Sequence, residues 1–189
     1  MTVPSTAPCA DLVQTRQAKL GIVGLGRLGT RMVPVARAFG MDVLAWSPNL
    51  TDETAVAAGA VRVDKPALFR RSDVVTLHLV LSERSRGTVG REELALLGPQ
   101  GYIVNTSRSG LVDRGALLAA LHDGTIAGAA LDVFDVEPLP PDDAVLTAPR
   151  TVLTPHLGYV TRDNLAHWYT GAVTALHAYA AGRPVHVLS

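Results

Sequence analysis

The chain has 189 residues, 17 Lys plus Arg against 17 Asp plus Glu, and is 48% hydrophobic and 18% charged. That is long enough for a domain with a full core and too apolar for a disordered chain. Zero net charge leaves no basic excess for nucleic acid or a membrane surface, no apolar run reaches membrane-spanning length, and a lone Cys9 excludes an internal disulfide and points to a reducing, cytoplasmic setting.

Residues 1–18 read as a flexible lead-in, with Pro4, Ser5, Thr6 and Pro8 and no periodic pattern. They lack the basic start and apolar stretch of a secretion signal. From Lys19 onward, short apolar runs alternate with helical patterns. The runs 20–25, 41–46, 61–63, 74–79, 102–105, 126–131 and 152–154 suit strands buried on both faces. Residues 27–39, 52–58, 65–70, 91–97 and 113–122 carry helical spacing between them. The alternation predicts an α/β fold, a Rossmann-type doubly wound and mostly parallel sheet. Gly40 and Gly124 stand where helix C-caps are expected. Pro34 falls inside the first helix, where it costs roughly 3 kcal/mol in a free interior, so a kink or an earlier boundary is expected. A long last helix, 161–182, brings Leu165, Trp168, Tyr169, Ala172, Val173, Leu176 and Tyr179 into one apolar stripe that needs a surface to lie against.

The sharpest local signal is Gly24-Leu25-Gly26-Arg27-Leu28-Gly29, which follows a strand and opens a helix. Gly24 permits a tight turn, Gly26 lets the backbone approach a pyrophosphate, and Gly29 lets helix and strand pack closely. In this context the motif predicts a dinucleotide. The acidic residue expected about twenty residues on, for the adenosine ribose, is replaced by Ser47. Serine can bond a 2′-hydroxyl, and no arginine follows immediately to clamp a 2′-phosphate, so NAD is favoured over NADP. The plan is therefore a lead-in at 1–18, a dinucleotide-binding domain at 19–160, and a C-terminal helix and tail at 161–189.

Three further segments end predicted strands: Asn105-Thr106-Ser107-Arg108, Asp132-Val133-Phe134-Asp135-Val136-Glu137-Pro138 and Thr154-Pro155-His156-Leu157-Gly158. An arginine can hold a carboxylate by two parallel hydrogen bonds. A histidine beside a carboxylate can exchange a proton near neutral pH. With a hydride carrier, these are the parts needed to oxidise a 2-hydroxy acid or reduce a 2-oxo acid. His78 ends a strand on the same side. The histidines show no metal-ligand spacing, and Ser107 and Ser109 lack the G-x-S-x-G frame of a hydrolase nucleophile.

On these motifs, together with Phe39-Gly40-Met41, Asp73-Val74-Val75 and Gly110-Leu111-Val112-Asp113, the chain resembles the D-isomer-specific 2-hydroxyacid dehydrogenases, the family of phosphoglycerate and formate dehydrogenases. The resemblance runs from about Lys19 to the C-terminus. It implies that Arg108 grips the substrate carboxylate and 2-oxo group, that His156 is the acid/base, and that Glu137 orients it and raises its pKa. It also implies pyrophosphate contacts at Arg27 and Leu28, ribose and nicotinamide contacts at Leu79, Thr106, Ser107 and Asp132, and Gly158 beside the nicotinamide. Family members carry a substrate domain ahead of the fingerprint, on which the last helix docks, whereas residues 1–23 stand there in this sequence. Two departures are Val80 where many members have proline and Ser109 where glycine is usual. The resemblance implies a homodimer acting on a small 2-hydroxy or 2-oxo acid. The alternative is a nucleotide-holding module or interaction protein without turnover.

Overall fold

The strand β1 (Lys19–Val23) is apolar on both sides and lies in the interior of the sheet. The computed structural model describes residues 17–187, so most of the predicted lead-in lies outside the described residues. Gln17 and Ala18, just ahead of β1, already bond to the 40–42 segment: Gln17 donates its N–H to the Gly40 carbonyl and the Ala18 carbonyl accepts the Asp42 amide. Six further strands follow: β2 (Asp42–Trp46), β3 (Val61–Arg62), β4 (Val74–Leu77), β5 (Tyr102–Asn105), β6 (Gly128–Leu131) and β7 (Thr151–Leu153). They form one seven-stranded sheet in the order β3-β2-β1-β4-β5-β6-β7. Every pairing is parallel, so the mostly parallel sheet expected from the sequence is wholly parallel.

The crossovers are α1 (Gly29–Ala38), α2 (Asp52–Ala58), α3 (Lys65–Arg71), α4 (Arg91–Leu97) and α5 (Arg114–Asp123). Alternate residues of β1 feed two hydrophobic clusters. Leu20 and Ile22 join Val33, Ala36, Val43 and Ala45, while Val23 joins Phe69, Leu77, Leu94, Ile103 and Leu121. Period-two alternation sends neighbouring side chains to opposite faces, so helices cover both. Phe69 is fully buried, worth about 1.5–3 kcal/mol relative to exposure.

Side chains close the starts of most helices. Thr51 accepts from the Thr54 amide, Asp64 from Ala67 and Asp113 from Ala116, each worth about 1 kcal/mol. At α4 the Glu93 carboxylate accepts the Gly90 amide at 2.8 Å and pairs with Lys65 at 2.7 Å. Burial pushes the Glu93 carboxyl up, but Lys65 and the Gly90 amide outweigh it and hold the group below its ordinary range. By contrast α1 has neither a side-chain cap nor an acidic residue in its first turn. Nor does Pro34 end this helix, which continues to Ala38. The ring removes the donor for the Thr30 carbonyl, but Pro34 lies on the exposed side, where water can serve that carbonyl instead. Gly40 and Gly124 carry the positive φ expected after a helix, 76° and 73°.

The chain divides into two compact units, Met1–Pro155 and His156–Ser189. The second carries α6 (Arg162–Ala180), capped by Thr161, whose hydroxyl accepts from the Asn164 amide.

Candidate active site

The strand order reverses between β1 and β4. In an open α/β sheet that crevice, beyond the carboxyl ends of the strands, is where ligands bind. The predicted positions of the first unit follow strand ends: Gly24 after β1, Ser47 after β2, Leu79 after β4, Thr106, Ser107 and Arg108 after β5, and Asp132 after β6.

At the switch point lies a cleft of about 680 Å³ whose walls include Gly24, Gly26, Ser47, His78, Leu79 and Arg84. Gly24 has φ +102°, and a side chain there would meet the His78 carbonyl carbon at 2.7 Å. A Cβ on Gly29 would stand 2.1 Å from the Gly24 carbonyl oxygen, so only glycine allows α1 to start against the loop. A Cβ on Gly26 would meet nothing within 4 Å. That open space, beside a helix whose first amides carry no capping side chain, fits a pyrophosphate. Arg27 and Leu28 are exposed on the loop, and Thr30 donates to the Gly26 carbonyl at 2.9 Å as the first turn closes. The Ser47 hydroxyl accepts the Leu25 amide at 2.9 Å, and the Gly24 amide donates to Trp46 at 2.8 Å, so the end of β2 holds the loop in shape.

His78 is partly buried on this wall. Its Nε2 stands 3.0 Å from the Thr76 hydroxyl, and burial holds its pKa below the ordinary 6.5. It therefore faces the cleft as a neutral ring at pH 7.

Beyond β5 the chain is braced by polar side chains. Asn105 is buried, its Nδ2 donates to the Arg108 carbonyl at 2.9 Å, and its Oδ1 accepts the Ser107 amide at 3.1 Å. The Ser107 hydroxyl donates to the Leu77 carbonyl at 2.9 Å, tying this loop to the end of β4. Arg108 is exposed, and its Nη1 donates to the Ser107 carbonyl at 2.6 Å. A short 3₁₀ turn, Ser109–Leu111, follows it. The Asp132 carboxylate, buried after β6, accepts the Thr154 hydroxyl at 2.5 Å, and its amide donates to the Asn105 carbonyl. Glu137 turns back on its own loop, its Oε1 accepting the Phe134 amide at 2.8 Å.

The other two predicted positions, His156 and Gly158, open the second unit. His156 adopts φ 56°, uncommon for a residue with a side chain though less so for histidine. Its ring meets Tyr159 edge-on at 5.2 Å, and Tyr159 lies 5.1 Å from Trp168 of α6. The Tyr159 carbonyl accepts from Asn164 Nδ2 at 2.8 Å, fixing the turn ahead of the helix. None of the residues of α6 is buried, including those of its apolar stripe.

Sequence reasoning passed over two groups. Asn105 carries no reactive chemistry, yet it shapes the Arg108 loop; an amide-bearing residue ending a buried strand was the signal. Arg84 reaches the cleft from the segment after β4, and nothing in its local sequence announces this.

A glycine turn and an uncapped helix at the switch point of a doubly wound parallel sheet define a dinucleotide-binding domain. The family described as "D-isomer specific 2-hydroxyacid dehydrogenase, NAD binding domain" matches residues 6–158, and the chain belongs to that family. It is 38% identical to a glyoxylate reductase of Aeropyrum pernix over 90% of this chain and 51% of that enzyme. It is 43% identical to a D-3-phosphoglycerate dehydrogenase of Methanocaldococcus jannaschii over 76% of this chain and 28% of that enzyme. Among solved structures, an oxidoreductase from Ralstonia solanacearum superposes with a TM-score of 0.88 at 32% identity, covering 98% of this chain and 55% of the other. The chain thus spans about half the length of these relatives or less. Among the described residues, no helix is long and apolar enough to cross a membrane.

Proposed function

We propose that the chain is the nucleotide-binding part of an NAD-dependent oxidoreductase that interconverts a small 2-hydroxy acid and its 2-oxo acid. The observation that carries this reading is the Arg108 loop, braced by Asn105 and Ser107 at the carboxyl end of β5, in a domain whose glycine cleft suits a dinucleotide. When bound, NAD gives or takes the hydride at C2 of the substrate.

The chain's own groups do the rest. Arg108 leaves the Ser107 carbonyl and takes the substrate carboxylate in a two-bond fork. His156 gives a proton to the 2-oxo oxygen in reduction and removes the hydroxyl proton in oxidation. Glu137 orients the ring; one hydride at C2 and one proton at the oxygen together convert the 2-oxo acid to the 2-hydroxy acid. Thr106, Ser107, Asp132, Leu79 and Gly158 contact the ribose and nicotinamide, and Arg27 and Leu28 the pyrophosphate. The names of the relatives point to glyoxylate, hydroxypyruvate and 3-phosphoglycerate as first substrates to try. The protein works in the cytoplasm as a homodimer, and α6 docks on a substrate domain; a sedimentation run at micromolar concentration tests the dimer.

The test is NADH binding by calorimetry followed by NADH oxidation with glyoxylate and hydroxypyruvate. Turnover that disappears in His156→Ala supports the reading. Binding with no turnover above the His156→Ala control points to a nucleotide-holding module instead. Absent binding overturns both.

A further inference from the structure

We propose that Lys65 is a positioning residue for nucleotide binding, its ammonium tying together two walls of the cleft that the sheet leaves unjoined. This rests on the nucleotide-binding reading above. Lys65 takes no part in the chemistry described there and is not itself among the residues lining the cleft. It opens α3, where the Asp64 carboxylate caps the helix by accepting the Ala67 amide at 2.7 Å and so fixes the backbone that carries the side chain.

From there Lys65 Nζ reaches three groups on other elements. It stands 2.7 Å from Glu93 Oε1 and donates to the Thr88 carbonyl at 3.1 Å. It also lies 5.8 Å from the centre of the Trp46 ring, within reach of cation–π attraction. Trp46 ends β2, Thr88 belongs to the segment after β4, and both line the cleft. In the sheet β1 separates β2 from β4, so no ladder bond joins these two walls. The ammonium joins them instead. Each wall passes the restraint on. The Trp46 carbonyl accepts the Gly24 amide of the glycine turn at 2.8 Å. The Thr88 hydroxyl donates to the Ser85 carbonyl at 2.7 Å, and the Ser85 hydroxyl to the Val80 carbonyl at 2.7 Å. An exposed ion pair would hold little, because water and salt screen it. Here the Lys65 and Glu93 side chains are only 29% and 12% exposed. Glu93 is held in turn by the Gly90 amide at 2.8 Å.

Trp46 itself supplies the readout. The chain has two tryptophans, so Trp168→Phe leaves Trp46 as the only one, and NADH entering the cleft should quench its emission. In that background, titrate NADH and 5′-AMP into the parent and into Lys65→Met, Lys65→Arg and Glu93→Gln, in buffer where urea unfolding shows each variant to be native. Lys65→Met should weaken NADH and 5′-AMP by about tenfold each, because Trp46 adjoins Ser47 at the adenosine end. Lys65→Arg can still donate to both oxygens and lie on the ring, so it should restore binding to within about threefold of the parent. Glu93→Gln keeps an oxygen for the Gly90 amide and loses the charge; it is the milder variant and should weaken both ligands by about threefold. A Lys65→Met protein that unfolds at lower urea yet binds NADH like the parent would make this lysine structural only and overturn the proposal, with the nucleotide site left standing. A loss that Lys65→Arg does not relieve, or unchanged affinity in Glu93→Gln, would overturn it as well. A parent protein that binds neither ligand sinks the nucleotide site itself and this proposal with it.

Discussion

The loops after β1 and β2 and the loops after β5 and β6 leave the carboxyl ends of one sheet and are built by opposite means. The first pair offers little side chain: three glycines, a helix start without a side-chain cap, open space beside Gly26 and a serine spent on holding the loop. The second pair is built of polar side chains that hold one another, with Asn105, Ser107, Asp132 and Thr154 bonded across three strand ends. One side is built by leaving atoms out, the other by placing them. Adding a methyl group should therefore damage the first, and removing a functional group the second.

The largest expected effect is on the side that places atoms. Where turnover is measured, Arg108→Ala should lower kcat/KM by roughly 10³-fold, the loss of two charge-assisted hydrogen bonds, with NADH binding unchanged. An equal loss of NADH binding would break the division between the two sides. Next comes Gly29→Ala, whose Cβ must push apart α1 and the Gly24 carbonyl. It should cost about 1–3 kcal/mol in urea unfolding and weaken NADH binding by tenfold or more. A variant that binds NADH normally would show that space is not what this side provides. Asn105→Ala removes a buried amide with a bond at each end and should cost about 1–3 kcal/mol while raising KM for the 2-oxo acid more than Kd for NADH.

The smallest effect concerns pH. In the unfolded chain His78 takes its proton near 6.5, whereas burial makes the folded protein resist that proton until lower pH. The stability that neutral His78 contributes is complete above about pH 6.5 and falls as the pH drops below it. His78→Gln should flatten unfolding free energy against pH on the acid side of that value; an unchanged slope assigns it to other groups.

How far these features were legible depends on whether their cause is local. Tyr102–Asn105, Asp52–Ala58 and Arg91–Leu97 follow their sequence patterns to the residue, because a buried run or a closed first turn marks both ends. The apolar runs at 20–25 and 74–79 overreach the strands that end at Val23 and Leu77. There hydrophobicity continues for another reason, since Leu25 and Leu79 line the cleft after the ladder stops. Ile126 extends the sixth run in the same way, buried outside the ladder. The glycine loop was legible from its spacing. Arg84 was not, because only the pairing of β1 with β4 brings its segment to the cleft.

The interior strand β1 has one face in each hydrophobic cluster, and this bears on how the molecule is born. The cluster around Ile22 draws its buried residues from 20–60, while the one that receives Val23 draws the rest of its buried residues from 68–148. On the ribosome the first can close early, leaving Val23 and one unpaired edge of β1 until Val74–Leu77 emerges. An unpaired apolar edge is a template for the wrong strand. A pause in translation after β3 would thus present the nascent chain at its most adhesive, and that interval is where a chaperone has most to protect.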